Sequence, residues 1–405
     1  MPQPESPYAW ARLTVSLLLM TVGGSGMYVV AVVLPELQAD FGVDRAAASL
    51  PYTVTMIGFG LGGVLMGRLA DRFGVMPPIL GSTLALGLGY VLAGMSQNLW
   101  QFCMAQALLI GLLGSSATFG PLVADISLWF TRHRGIAVAI CISGNYLAGA
   151  TWPPLAQYFI DRVGWRTTYL GIGAFSVASM ILLALLLRPR APLAEPASFG
   201  QADLHARPLG LSRNALLALL CVAGLACCVA MSMPLVHIVA YCGDLGIAAA
   251  RGAEMLSLMM GFGIVSRLAS GWIADRIGGL RTLLLGSTLQ AVALALFVPA
   301  DGLMSLYAVS VLFGIFQGGV VPSYAIIVRE FFPPQQAGSR LGVVLMATLF
   351  GMALGGWMSG AIFDLTGSYR AAFVNGIAWN VLNIAIIAWL LLRQAPRHLR
   401  EQPVN

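Results

Sequence analysis

The 405-residue sequence contains no lysine and little charge of either sign. Charged residues make up 9% of the chain, whereas a soluble domain contains roughly 25%. Hydrophobic residues make up 58%, which is too apolar for a chain that folds in water. The composition therefore excludes an ordinary soluble domain and predicts an integral membrane protein.

The sequence also lacks the residue patterns of common catalytic and metal sites. It has four histidines but no His-Glu-x-x-His pair, no Gly-x-Ser-x-Gly turn and no lysine-containing phosphate loop. Its six cysteines show no ligand-type spacing, and its arginines are scattered over short connecting segments instead of lining one face. We therefore expect no enzyme, no cofactor, no metal and no nucleic-acid partner.

Apolar stretches of about 20 residues recur along the chain, each long enough to cross a hydrocarbon core of about 30 Å. There are twelve, near residues 11–34, 47–69, 77–96, 101–127, 136–159, 167–187, 214–237, 252–274, 281–299, 304–328, 340–363 and 371–392. Lipid offers the backbone no hydrogen-bond partners, so segments that span it must satisfy their own polar groups. The sequence predicts an all-α integral membrane bundle of twelve transmembrane helices, surrounded by membrane lipid.

The 47 glycines predict close packing between these helices. Small residues four positions apart lie on one helix face and let two backbones approach. Such pairs are Gly58 with Gly62, Gly63 with Gly67, Gly351 with Gly355, and Gly356 with Gly360.

The distribution of arginines predicts the orientation of the helices. With both termini in the cytoplasm, sixteen arginines fall in inner segments and five in outer segments, as the positive-inside rule requires. The inner set is Arg12, Arg68, Arg72, Arg132, Arg134, Arg188, Arg190, Arg207, Arg213, Arg276, Arg281, Arg329, Arg340, Arg393, Arg397 and Arg400, and the outer set is Arg45, Arg162, Arg166, Arg251 and Arg370. We expect a bacterial inner membrane location with both termini cytoplasmic.

The two halves of the chain repeat each other. The turn Gly67-Arg-Leu-Ala-Asp71-Arg72-Phe-Gly74 recurs 204 residues later as Gly271-Trp-Ile-Ala-Asp275-Arg276-Ile-Gly278. At or near the same offset, Asp40, Asp161, Gly164, Arg166 and Tyr169 correspond to Asp244, Asp364, Gly367, Arg370 and Phe373, with one residue inserted before Arg370. The repeat predicts two six-helix bundles, residues 1–187 and 214–405, joined by a cytoplasmic linker at residues 188–213.

Arg267 is the one arginine deep inside an apolar stretch, about 12 Å of helix from Asp275 and not far from the bilayer midplane. A guanidinium cannot lose its proton there, and inserting one costs roughly 2.5 to 3.5 kcal/mol. No acidic residue at a similar depth is an obvious partner, and the repeat-related position holds Gly63. A structural ion pair is the alternative, but the pattern favours an anionic group of a substrate as the partner of Arg267.

Parallel six-helix repeats with a charged turn after the second helix resemble the major facilitator superfamily of secondary transporters. The resemblance covers almost the whole chain and implies two half-bundles that rock about a central site. It also implies a cytoplasmic gate at the two turns, formed by Asp71, Arg72, Asp275 and Arg276. Val75 and Met76 replace the basic residues that often follow the first turn, so a latch there depends on Arg72 itself.

A narrower resemblance lies around the fifth helix. The run WFTRHRGIAVAICISG, from Trp129 to Gly144 and followed by Gly149, is similar to the signature of the monocarboxylate transporter and oxalate/formate exchanger group. Arg267, with Gly271 and Asp275 at four-residue steps, resembles the arginine with which that group holds a substrate carboxylate. No lysine is present in the first or eleventh helix, and this favours a substrate with one carboxylate over one with two.

Two titratable residues are candidates for proton handling. His237, which the apolar pattern places at the outer end of the seventh helix, resembles a histidine of some bacterial monocarboxylate transporters. It suits proton transfer or a hydrogen bond to the substrate, and the alternative is an interfacial residue that caps the helix. Asp125, in the fourth helix, is either a proton carrier or a latch to Arg72 or Arg132 at the gate.

Other polar side chains lie on helices that line the cavity in this superfamily. Each is a candidate substrate contact, with an interhelix hydrogen bond as the equal alternative. These residues are Tyr28, Asn145, Tyr146, Gln317 and Tyr324.

Together these patterns predict a secondary active transporter that acts as a monomer. Its substrates are a small monocarboxylate, lactate- or pyruvate-like, and a proton, carried by alternating access. An organic-anion exchanger would use the same anion site and stays open as an alternative. A drug/proton antiporter is less favoured, because the fifth helix has no Gly-Pro motif and Arg267 would repel a cationic drug.

Overall fold

The structure, a computed structural model, describes residues 5–189 and 208–394, and every regular element in those ranges is helical. The spanning helices are α1 (Pro7–Val32), α2 (Arg45–Phe73), α3 (Met76–Gly94), α4 (Leu99–Trp129), α5 (134–163), α6 (165–185), α7 (Arg213–Asp244), α8 (Ala249–Ile277), α9 (Gly279–Phe297), α10 (Leu303–Phe331), α11 (Pro334–Thr366) and α12 (Tyr369–Gln394). This confirms the predicted all-helical membrane fold. Most of the predicted linker, with Arg190 and Arg207, and also Arg397 and Arg400, lie outside the described residues.

The helices α5 and α6 form one long stretch that bends at Gly164. The stretch Arg134–Leu185 is helical except at this glycine, whose φ of 79° and ψ of 159° are accessible to few other residues. For this reason the described residues contain eleven separate apolar stretches long enough to span a membrane. The bend divides the longest of them into the fifth and sixth of the predicted helices.

Both copies of the repeated turn end their helix in the same way. Gly74 follows α2 with a φ of 85°, and Gly278 follows α8 with a φ of 84°. A side chain is disfavoured at this φ, whereas glycine adopts it without strain. The last glycine of the repeated turn is therefore a requirement of the backbone.

Three helices are interrupted near their middle. The helix α1 breaks at Gly24, α4 passes through a π-helical segment (Ala105–Gly114) and a 3-10 turn (Ser115–Thr118), and α10 is interrupted at Gly318. Gly114 and Gly318 are separated by the same 204 positions as the two turns. Such interruptions leave backbone groups free of intrahelical hydrogen bonds, and in transporters they lie close to the binding site.

Three of the four predicted glycine pairs lie where two helices approach closely. Gly58 and Gly62 face the backbone of α4, and Gly351 and Gly355 face the backbone of α7. Gly356 and Gly360 face α2 from the other half of the chain, on Tyr52 and on the backbone of Arg45. Gly63 and Gly67 meet nothing within 4 Å, so the spacing alone does not identify a packed pair.

The N-terminal half (α1–α6) and the C-terminal half (α7–α12) are in contact towards one end of the bundle. We call the end where α2 and α8 finish the basic end, and the opposite end, where α2 begins at Arg45, the distal end. On the distal side, Thr53 Oγ1 donates a hydrogen bond to the carbonyl of Ala353 at 3.0 Å, and Ser257 donates to the carbonyl of Ala150. These contacts join α2 to α11 and α8 to α5, so they close the distal side of the interface.

Replacing Gly62 with leucine is expected to destabilise the fold, whereas the same change at Gly63 is not. A Cβ at Gly62 would collide with the backbone of Leu112 on α4, while a Cβ at Gly63 would meet nothing within 4 Å. Overpacking costs about 1–3 kcal/mol, so Gly62→Leu should lower the apparent Tm in detergent by several degrees. The Gly63→Leu control should stay within about 2 °C of wild type. An equal loss in both variants would contradict the packing described here.

Candidate functional site

Arg267 lies on α8, about 15 Å of helix from the end of α8 at Ile277. Its Cζ lies 4.4 Å from the ring centroid of Tyr146 on α5, and Tyr146 in turn packs on Gly263 of α8. Its Nε is buried without a hydrogen-bond partner, and in residues 5–189 and 208–394 no acid forms an ion pair with its guanidinium. The cation is therefore covered on one side by an aromatic ring and left available to an anion.

Tyr28, Asn145 and Tyr146 approach Arg267 from the N-terminal half. The Tyr28 hydroxyl donates to Asn145 Oδ1 at 2.8 Å, which links α1 to α5 next to Tyr146, the residue whose ring lies over Arg267. The Asn145 amide nitrogen has one contact within the described residues, Met27 Sδ at 3.7 Å, and a thioether is a weak acceptor. The structure thus brings four of the predicted ligand residues together and leaves the amide donor of Asn145 nearly free.

Gln317 lies at a similar depth, inside the C-terminal half. It precedes the interruption of α10, where Gly318 packs against Gly263 and Ser266 of α8. Its side chain is 1% exposed, and neither its amide oxygen nor its nitrogen has a partner among the described residues. An unpaired carboxamide is costly to bury, so this position is suited to a further polar contact at the level of Arg267.

Tyr324 belongs to a hydrogen-bonded network inside the C-terminal half. Its hydroxyl donates to Asn383 Oδ1 at 3.0 Å, and Asn383 Nδ2 donates to Ser287 Oγ at 2.7 Å. Asn380 Nδ2 donates to the carbonyl of Ser287 at 2.8 Å. For Tyr324 the structure shows the interhelix alternative, which ties α10 to α9 and α12. The α12 asparagines have no recognisable motif in the sequence, and only their packing reveals this role.

His237 is fully buried within α7, and the predicted position at a helix end is wrong because α7 continues to Asp244. Its Nε2 lies 2.7 Å from the carbonyl oxygen of Gly356, which can only accept, so Nε2 carries a proton. Its Nδ1 lies 2.9 Å from the hydroxyl of Tyr369 and accepts from it when the ring is neutral. His237 is therefore bonded to α11 and α12 near the distal end.

Arg45, the first residue of α2, connects this histidine to the other half. Its guanidinium donates to both oxygens of Asp244 at 3.0 and 3.2 Å and to the hydroxyl of Tyr369 at 2.8 Å. The backbone N–H groups of Arg45 and Ala46 donate to Asp364 at 3.0 and 2.7 Å. We call Arg45, Asp244, Asp364, Tyr369 and His237 the distal latch. The sequence analysis missed it, although Asp244 and Asp364 are landmarks of the repeat.

Asp125 pairs with Arg12, and the predicted latch to Arg72 or Arg132 is not formed. Arg12 Nε and Nη2 donate to its carboxylate at 2.7 and 2.9 Å, and the two side chains are 1% and 8% exposed. Arg12 also donates to the carbonyl of Leu187 at 3.1 Å. The pair therefore joins α1, α4 and the end of α6 within the N-terminal half. A carboxylate engaged in this way fits a structural ion pair better than a proton carrier.

The charged turns are open at the basic end. The four residues predicted to form the gate are exposed and form no hydrogen bond or ion pair with other residues that the structure describes: Asp71, Arg72, Asp275 and Arg276. In this conformation the halves are therefore latched at the distal end, and among the described residues the predicted gate residues form no latch at the basic end. Arg267 lies between the two, and the gate itself stays a prediction.

Two apolar crevices lie elsewhere in the bundle. One, of about 340 Å³, is formed by α2, α3 and α4 around Phe73, and the other, of about 440 Å³, lies between α5 and α6 around Phe175. No charged residue lines either crevice. Neither can hold an anion, so the group around Arg267 is the better candidate site.

Comparison with known sequences identifies the family. The sequence profile described as Major Facilitator Superfamily matches residues 16–308 and 244–405. Monocarboxylate transporter 13 of Bos taurus is 30% identical over 329 residues, 81% of this chain and 75% of that protein. Monocarboxylate transporter 11 of Mus musculus is 24% identical over 386 residues, which is 92% of this chain and 85% of that protein.

Solved structures agree with the fold at much lower identity. A crystal structure of the nucleoside transporter NupG matches with a TM-score of 0.75 and 15% identity, over 95% of this chain and 99% of that one. A bacterial homolog of the human lysosomal transporter Spinster, in an inward-facing and occupied conformation, matches with a TM-score of 0.73 and 14% identity. The match covers 96% of this chain and 97% of that one. With its twelve helices and paired turns, the chain belongs to the major facilitator superfamily of membrane transporters and is related to its monocarboxylate transporter group.

Proposed function

We propose that this transporter carries a small monocarboxylate together with a proton, by alternating access to Arg267. The observation that supports this function is a fixed cation between a latched and an unlatched end of the bundle, with no acidic partner in the described residues. Relatives named as monocarboxylate transporters agree with this assignment.

The geometry around Arg267 suits a carboxylate. A guanidinium donates two parallel hydrogen bonds to a carboxylate, and a site from which water is excluded strengthens this attraction. Tyr146 covers one face of the guanidinium, and this leaves the in-plane N–H groups for the ligand. A single cation suits a single carboxylate, because a second carboxylate would enter the cavity without a matching charge.

The neighbouring amide suits an oxygen atom close to that carboxylate. Asn145 Oδ1 already accepts from the Tyr28 hydroxyl, so the free groups of the amide are its two N–H donors. An oxygen on the carbon next to the carboxylate, as in a 2-hydroxy or 2-oxo acid, would accept from one of them. Gln317 is a further candidate for such a contact. Lactate and pyruvate have this chemistry.

His237 is the better of the two candidates for the proton. In the closed latch its Nδ1 accepts from Tyr369, whose oxygen accepts from Arg45. A proton on Nδ1 would remove the acceptor of the Tyr369 hydroxyl and place a second positive charge near Arg45. We infer that His237 takes up a proton while the distal end is open and releases it as that end closes.

This assignment fits transport across an energised membrane. We place the basic end in the cytoplasm by the positive-inside rule, so the conformation described here faces inward. A carboxylate that travels with a proton is neutral in sum, and this avoids a cost of about 2.3 kcal/mol per charge at 100 mV. The named relatives come from mammals, so a bacterial inner membrane, like monomeric function, remains a prediction.

An organic-anion exchanger is the second candidate. Arg267 would hold the carboxylate of any small organic anion, and the hydrogen bonds of His237 are made to Tyr369 and Gly356 and not to Arg267. Exchange needs an anion on both sides, whereas symport accumulates substrate from a proton gradient alone. That difference separates the two functions in vesicles.

Replacement of Arg267 by glutamine is expected to lower lactate uptake into proteoliposomes by more than about 30-fold, since truncating a buried charge pair costs about 2 kcal/mol or more. Lactate should also stop raising the apparent Tm of the variant. Arg393→Gln is the matched control, because Arg393 is exposed on α12 and lies over the ring of Trp389. Near-normal uptake by Arg267→Gln would refute the assignment.

Replacement of His237 by glutamine is expected to abolish the stimulation of uptake by an inward proton gradient. Glutamine does not titrate, but its amide can still bond Gly356 and Tyr369, so lactate counterflow should persist. Uptake by wild type should rise as the external pH falls from about 8 to about 5, while the variant stays flat. His133→Gln makes the same change at an exposed residue and should keep the wild-type profile. A variant profile that matches wild type would exclude His237 as the proton site.

A further inference from the structure

Asp244 of the distal latch pairs with a different arginine from the one that its equivalent in the other half would predict. Asp40 and Asp244 occupy equivalent positions, as do Arg166 and Arg370. In the N-terminal half, Arg166 Nη2 donates to Asp40 at 2.8 Å, so this ion pair stays inside one half. In the C-terminal half, Asp244 pairs across the interface with Arg45.

Arg370, the repeat-equivalent partner of Asp244, is left without an ion pair. It is exposed at the start of α12, and its side chain forms no hydrogen bond or ion pair within the part of the chain that the structure describes. It nevertheless lies at the edge of the latch, because it directly follows Tyr369, and Tyr369 and Asp244 bind the same Arg45 guanidinium. The Tyr369 hydroxyl accepts from Arg45 and donates to His237 Nδ1.

The closed distal end explains why Asp244 prefers Arg45 in this conformation. Arg45 is 8% exposed, lies 4.6 Å from the ring centroid of Phe363, and is bonded to Tyr369 as well as to Asp244. Opening the distal end withdraws α2, and Arg45 with it, from the C-terminal half. Asp244 would then lose its cation, whereas Arg370 belongs to the same half and moves with it.

We propose that Asp244 exchanges Arg45 for Arg370 when the distal end opens, so that the C-terminal half adopts the intra-half pair that Asp40 and Arg166 form in the N-terminal half. Arg45 then stabilises the closed distal end and Arg370 stabilises the open one. Each conformation keeps the aspartate paired, and this lowers the free-energy difference between them. The exchange depends on alternating access and is independent of which substrate Arg267 binds.

The proposal predicts opposite effects for two arginine variants. A cysteine at Thr53, which the closed interface covers through its contact with Ala353, reports opening by its rate of reaction with an impermeant maleimide added at the distal side. The background is Cys221→Ala, since the other five cysteines are buried. Arg45→Gln should raise the labelling rate by about threefold, and Arg370→Gln should lower it by about the same factor, as expected for one ion pair removed from one of two states.

Two further variants make the test specific. In an Asp244→Asn background, Arg370→Gln should have no additional effect, because the pair it would break is already absent. Arg370→Glu, at an exposed position that tolerates substitution, should lower labelling further than Arg370→Gln.

A cysteine at exposed Gln97 is the control for reagent access and should label equally in all variants. The exchange is wrong if Arg370→Gln leaves the rate unchanged, raises it, or lowers it equally without Asp244. Because the readout needs no substrate, failure of the carboxylate assignment would not alter it.

Discussion

An uncompensated guanidinium in the middle of an apolar bundle is the constraint on which this structure depends. Placing Arg267 at that depth costs roughly 2.5 to 3.5 kcal/mol, and a cation–π contact such as the one with Tyr146 returns about 0.5 to 2 kcal/mol. Under the proposed function, a bound anion would offset the rest of this cost. The aromatic ring comes from the N-terminal half and the cation from the C-terminal half. The site is therefore assembled at the interface that must open and close during transport.

The other buried arginines show what this chain does with a cation that has only to hold helices together. Arg12 and Arg45 each bind both oxygens of an aspartate, and each donates to a further acceptor. A buried pair of this kind is strongly destabilised when one partner is lost, so it fixes the helices that it joins. Arg267 has neither an aspartate nor a carbonyl within the described residues. The difference in partners separates the structural arginines from the proposed binding position more clearly than depth does.

Hydrophobic length predicted the helices well, because lipid imposes one rule on every backbone that crosses it. Depth alone also pointed to Arg267, whose role as a substrate site stays a prediction. The length of an apolar stretch does not show which way each side chain faces. Tyr146 and Tyr324 were therefore equivalent candidates, although Tyr146 faces Arg267 and Tyr324 faces Asn383. His237 was misplaced because α7 continues past the end of its apolar stretch to Asp244. The ion-pair partners were equally hidden, since Arg12 counted only as one of the inner-segment arginines until the structure showed its pair with Asp125.

The charge of the proposed substrate explains why Arg267 has no counterpart in the other half of the repeat. If Gly63 were also an arginine, two cations would face one cavity, and at about 8 Å and an effective dielectric near 20 they would repel by about 2 kcal/mol. One carboxylate could not neutralise both, so the cavity would stay charged in every loaded state. A symmetric scaffold can provide two similar conformations, but a singly charged substrate requires that only one half carry the cation. Asp244 departs from the repeat in the same way, because a latch between halves needs an acid on one side and a base on the other.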